Sequence, residues 1–345
     1  MRGGGRPSRS FLTAVALCLC LTTRVIVVAA QEPDAKTRQI ERLGRWLNST
    51  DQQTRLDAVR ELSNLPQPDA LPLILVAIKD PASDVRAAAA WSLERFPDPH
   101  SIAALRVTLK DQDDRVRAAS AWAISHIGGS AVLPDVEALI TDSSPLARFR
   151  AVWGLGIIGD RAALPVVVNA LTDQNSSVRE RAALLSLEML KDNSLLPRLL
   201  KLANHPQPET RRIIMYLLAR YGNASVIPVL EAGLKDADPL VRGEAALSLG
   251  KLKARTALKD LAGAFADPDD HVRGSAAYAM ELIGDPAAMD ALRPLLKDQS
   301  AFVQAVAAEA LLKLGDKTVK PPEGFKAAEL FTFPIYSPEH KELYQ

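Results

Sequence analysis

Three of the four tryptophans, Trp91, Trp122 and Trp153, are spaced at 31 residues, and Tyr216 and Tyr278 continue the series after a one-residue slip. The full series is Arg60, Trp91, Trp122, Trp153, Leu184, Tyr216, Leu247, Tyr278 and Glu309. Four residues further on, Arg95, His126, Arg220 and Lys251 fall on the same side of a helix. The chemistry of such a row is recognition, because Trp, Tyr and Arg carry most of the energy of protein contacts. Catalysis instead needs unlike residues converging in one place. The five histidines occupy different repeat positions, and there is no H-E-x-x-H, Gly-rich phosphate loop, nucleophile elbow or His-Glu dipeptide. The sequence therefore points to no catalytic, cofactor-binding or metal-binding residue.

The elements that carry this row repeat with the same step. Arg55, Arg86, Arg117, Arg148 and Arg179 are 31 residues apart; Arg211, Arg242 and Arg273 follow the slip, and Gln304 takes the ninth place. Six residues ahead run Asp80, Asp111, Asp142, Asp173, Asp236, Asp267 and Asp298, with a gap at Asn204-His205. The unit Asp111–Thr141 opens with an acidic turn and predicts a helix over 114–127, with Val116, Ala119, Ala123, Ile124 and Ile127 on one face. Gly128-Gly129 stops it, and a shorter helix starts near Pro134. One such pair cannot bury its apolar face, so copies must stack on both sides. The expected fold is all-α, a right-handed α-solenoid of about nine helix pairs over residues 35–315.

The hydrophobic fraction of 48% comes mainly from Ala, Leu and Val, with 5% aromatic residues, which suits closely packed helices. Residues 1–30 carry Arg2, Arg6 and Arg9, then an apolar run from Phe11 to Leu21, then Val28-Ala29-Ala30. This reads as a secretory signal cleaved after Ala30, although Arg24 late in the apolar region allows an uncleaved anchor. The expected location is periplasmic or secreted, with membrane attachment only if the segment is kept. Both cysteines lie in this leader, so the mature chain has no disulfide and no thiolate ligand. Cleavage removes four arginines and no acids, taking the formal charge from +1 to −3, a poor balance for nucleic-acid binding. Asn48, Asn175 and Asn223 match the glycosylation sequon but stand at helix ends, where capping is the simpler role.

Residues 316–345 break the period. Pro321, Pro322, Pro334 and Pro338 forbid a long helix, while Phe325, Phe331, Phe333, Tyr336 and Tyr344 argue against a merely solvated tail. Two roles fit: a strap over the last repeat, or a segment that docks on a partner.

The segments DDRVRAASAWAISHIGG, DPLVRGEAALSLGKL and DPDDHVRGSAAYAMELIGD resemble the HEAT-like repeats of phycobilin lyase subunits. The resemblance covers nearly the whole chain beyond the leader, the tail excepted. It implies a hydrogen-bonded ladder between successive repeats, here Asp80 with Arg86, Asp111 with Arg117, Asp142 with Arg148, Asp173 with Arg179, Asp236 with Arg242 and Asp267 with Arg273. It also implies that the Trp91–Tyr278 row lines the concave face, though such rings can equally wedge between adjacent second helices. The function expected is a non-catalytic scaffold or adaptor that holds another exported protein or peptide along that face. A chaperone-like or lyase-type subunit for a small ligand and a carbohydrate-binding surface protein are the alternatives.

Overall fold

The computed structural model describes residues 34–189 and 195–331. The expected leader, residues 1–30, and the end of the tail, 332–345, lie outside the described residues, as do residues 190–194 and the side chains of 186–189. Every regular element among the described residues is helical. Nine pairs follow in order: α1 (Ala35–Leu47) and α2 (Gln52–Leu62), α3 (Gln67–Ala77) and α4 (Ser83–Ser92), α5 (Pro99–Thr108) and α6 (Asp114–Gly128). Next come α7 (Leu133–Glu137) and α8 (Pro145–Ile158), α9 (Leu164–Ala170) and α10 (Ser176–Met189), α11 (Leu196–Leu202) and α12 (Pro208–Tyr221). The array closes with α13 (Ile227–Gly233) and α14 (Pro239–Lys251), α15 (Leu258–Gly263) and α16 (Asp270–Ile283), α17 (Met289–Leu292) and α18 (Ala301–Leu314). The fold is an α-solenoid, and the even-numbered helices form one continuous row.

That row is built from a repeated apolar face. Beyond the first pair, the residue before the ladder arginine is buried, as at Val85, Val116, Ala147, Val178, Val241 and Val272. Two turns later the same face buries Leu93, Ile124, Leu155, Leu249, Met280 and Leu311. Alanines at Ala89, Ala151, Ala182, Ala245, Ala276 and Ala307 fill the turn between and let adjacent second helices approach closely. Gly159, Gly222, Gly284 and Gly315 end their helices in the left-handed conformation. In the third pair the helix runs through Gly128, and Gly129 takes the positive φ of 53°. Asn175 and Asn223 accept from the backbone N–H groups of Ser177 and Ser225, and Asn48 donates to the Gly44 carbonyl, so all three sequon asparagines serve helix ends.

The ladder joins successive repeats, but its pairing differs from the one the resemblance implies. The carboxylate that Arg86 grips is Asp111, with Nε–Oδ2 and Nη2–Oδ1 both 2.8 Å, and not Asp80. Toward its own repeat Arg86 donates through Nη1 to the Asp80 carbonyl at 2.9 Å. The same shift by one repeat gives Arg55–Asp80, Arg117–Asp142, Arg148–Asp173, Arg211–Asp236, Arg242–Asp267 and Arg273–Asp298. A flat guanidinium fork therefore clamps the next turn while its outer nitrogen holds the turn it came from. Each aspartate also fixes its own turn, as Asp142 does by accepting from the Ser144 N–H at 2.8 Å.

One rung is missing. Arg211 donates to the His205 carbonyl, and the His205 ring nitrogen accepts from the Gln207 N–H, so His205 stands where other repeats place aspartate. Arg179 keeps its backbone contacts to Asp173 and Gln174, but its buried Nε has no partner among the described residues. The one-residue slip thus falls between Arg179 and His205. Replacing His205→Asp restores the carboxylate and is expected to stabilise the array by about 1–2 kcal/mol, the worth of a charge-assisted hydrogen bond. The urea midpoint should rise at constant m value. A midpoint that does not move means the inserted residue holds the two groups out of reach.

The first part of the tail is a strap. Arg293 pairs with Asp316 at 2.8 Å, and the short helix α19 (Ala327–Leu330) seats the buried Ala327 and Phe331 against the last two repeats.

Candidate functional site

The aromatic row occupies the second helices as the spacing predicts, yet its two halves are built differently. Trp91 on α4 is 40% exposed, and Trp122 on α6 and Trp153 on α8 are half-buried. The Trp91 and Trp122 rings stack with centroids 5.2 Å apart and planes within 4°, and Trp153 meets Trp122 edge-on at 5.2 Å. These are favourable arrangements for quadrupolar rings. The Trp122 indole donates to Glu94 Oε2 at 2.5 Å, and His126 lies against the Trp122 ring with Nε2 3.6 Å from Glu94 Oε1. Arg95 is exposed and stands on the rim, donating to Asn64 Oδ1 at 3.3 Å.

The C-terminal half is covered. Tyr216 on α12 is buried, with the Arg220 guanidinium 5.5 Å and the Lys251 ammonium 5.0 Å from its ring centroid. Tyr278 on α16 is also buried, because Phe331 of the tail stacks on it at 5.0 Å with planes within 12°. Glu309, which holds the ninth place of the row, accepts the Ala327 backbone N–H at 2.7 Å. Lys313 bridges Glu281 and Glu309, each at 2.7 Å. Burial pushes the Glu281 carboxyl above its ordinary range, and the hydrogen bond from Lys313 pulls the other way. The rings are thus partly helix-to-helix packing and partly a surface.

Residues that the periodic reading missed complete the N-terminal half. Arg150 on α8 lies inside the aromatic cluster, its guanidinium carbon 5.3 Å from the Trp91 ring, 5.2 Å from Trp122 and 5.4 Å from Trp153. Phe149 closes the box at 5.9 Å, and Arg181 covers Trp153 at 4.4 Å. A signal was available: two residues past the ladder arginine, the second and third repeats have Ala88 and Ala119 where the fourth and fifth have Arg150 and Arg181. Among the described residues, no three His, Cys, Asp or Glu side chains gather as metal ligands would, and no helix is long and apolar enough to cross a membrane.

Comparison with known proteins places this geometry. Kap121p is similar at 13% identity, covering 80% of this chain and 37% of that one, with a TM-score of 0.63. Kap121p bound to the extreme C-terminus of the protein phosphatase Cdc14p gives the same identity and TM-score, with 38% of that chain covered. This chain thus spans little more than a third of the length of these relatives, and the likeness is one of fold. Human deoxyhypusine hydroxylase in complex with glycerol is 23% identical over 81% of this chain and 96% of that one, but its TM-score is only 0.33. No curated protein matches the sequence. The HEAT repeats family matches at residues 40–125, 102–188, 196–281 and 264–322, nearly the full length of the solenoid, and the chain belongs to that family.

Proposed function

We propose that this protein is a non-catalytic scaffold that holds a polypeptide along the face of its second helices. The observation that carries the reading is the tail. The row already receives a segment of the chain's own tail, with Phe331 stacked on Tyr278 and the Ala327 N–H on Glu309. The same repeat position at Trp91, Trp122 and Trp153 carries larger rings, and Trp91 is open to solvent. A HEAT-repeat solenoid of this shape is also found in Kap121p, solved with the C-terminus of Cdc14p and with Nup53p. We further propose that residues 1–30 export the chain from a bacterial cytoplasm, that its kinship is with the phycobilin-lyase type, and that its partner is another exported protein.

A photo-crosslinking amino acid placed at Arg95, on the rim of the row, tests the scaffold reading in the source cells. The control position is Val107 on α5, which is 73% exposed and belongs to a first helix. A protein crosslinked from position 95 and not from 107 is expected. Its yield should fall roughly tenfold or more in a Trp91/Trp122/Trp153→Ala variant, the effect of losing central aromatic anchors. Circular dichroism must show that variant folded. Equal crosslinking from both positions, or none, overturns the reading.

A further inference from the structure

The box around Arg150 is unusual for the chemistry it leaves incomplete. Arg150 is only 8% exposed, yet no carboxylate or carbonyl among the described residues accepts from its five N–H groups. Its contacts are to the rings of Trp91, Trp122, Phe149 and Trp153. The acid on the edge of the box, Glu94, is already engaged by the Trp122 indole and His126. Ring faces attract a cation but accept hydrogen bonds poorly, so the charge is held without its geometric complement. Its burial is costly: desolvation depresses the Arg150 pKa, and no anion among the described residues opposes it. The ladder arginines make the contrast, since Arg117 is gripped by Asp142 through two bonds of 2.7 and 2.8 Å.

We propose that the Arg150 box is a carboxylate receptor, in which an acidic group of the bound polypeptide takes a bidentate bond from Arg150 while a neighbouring apolar residue packs on Trp91. This rests on the scaffold reading above and names the chemistry of its partner. The occupant is a partner polypeptide, chosen over a small apolar ligand because the box already holds a cation in want of an anion. The rings fix the guanidinium plane, so the receptor is preorganised and little side-chain freedom is lost on binding. The carboxylate can come from an Asp or Glu side chain or from a C-terminus, and the two sources are separable.

The full chain, labelled with a fluorophore, is applied to arrays of ten-residue peptides that each contain an aromatic residue. One set is C-terminally amidated with a single Glu, a second has Gln in its place, and a third is the Gln set with a free C-terminal carboxylate. Binders in the first set that weaken roughly ten- to hundredfold in the second, and that Arg150→Gln loses by the same factor, establish a side-chain carboxylate. Binding confined to the third set assigns the C-terminus. Equal binding to the Glu and Gln sets that still depends on Trp91 overturns the carboxylate receptor and leaves the scaffold standing. No Trp91-dependent binding in any set overturns both. Thermal melts of Arg150→Met guard against a merely structural arginine. Removing a buried charge that lacks an anion should raise the Tm, and a lowered Tm, with peptide binding unchanged, overturns the proposal.

Discussion

Asp142→Ala is expected to destabilise the array by about 3 kcal/mol, as removal of one partner from a buried ion pair does. The Arg117 and Asp142 side chains are 13% and 9% exposed, so water replaces the lost carboxylate poorly. Two guanidinium bonds and the Ser144 N–H lose their acceptor together. The rung lies mid-array, where the third and fourth repeats meet, so the loss also weakens coupling between the two flanking stacks. Urea denaturation is the check: a midpoint near that of the wild type would show that apolar stacking alone holds the repeats in register.

The same ladder sets the acid limit of the fold. Hydrogen bonds from arginine hold Asp111 and Asp298 below the ordinary carboxylate range. Burial alone would raise Asp142, Asp236 and Asp267, but the bonds from Arg117, Arg211 and Arg242 and from the turn N–H outweigh it. A folded pKa below the unfolded one gives stability that is full above about pH 5 and is lost as pH falls further. The pH profile of the urea midpoint should be flat from neutrality to about pH 5 and then drop. In Asp142→Ala the drop should be shallower, since one such proton uptake is gone.

Gly250→Val carries the second large effect. A Cβ at Gly250 on α14 meets the Ala279 backbone of α16 at 2.6 Å, and backbone cannot rotate out of the way. The two helices must separate, at a cost of about 3 kcal/mol or more for an overpacked contact. Gly263→Ala is the control, because nothing lies within 4 Å of its Cβ position. That change should be neutral or slightly stabilising through helix propensity. If both variants melt with the wild type, second helices are not held at the close distance that Gly250 implies.

Sequence by itself determined the repeat, and through it the fold. Val85, Val116 and Val241 ahead of each arginine, and Leu93, Ile124 and Leu249 two turns on, form a periodic signal that only a stacked helix pair satisfies. It also put Trp91, Trp122, Trp153, Tyr216 and Tyr278 at one place on successive helices, since a fixed step along the chain is a fixed position in a solenoid. Tertiary structure alone decided which neighbour each group meets. Arg86 is six residues from Asp80 and 25 from Asp111, and the family resemblance implied the nearer partner. The fork points along the stack, however, so its carboxylate belongs to the next repeat. Tyr278 reads like Trp91 in the sequence, but the tail covers one and leaves the other open. Arg150 is marked in the sequence only as a change from alanine to arginine at one repeat position, which says nothing of what it meets. Its place among three tryptophans of three different repeats follows from the length of its side chain and the close spacing of α4, α6 and α8, which only the packed array sets.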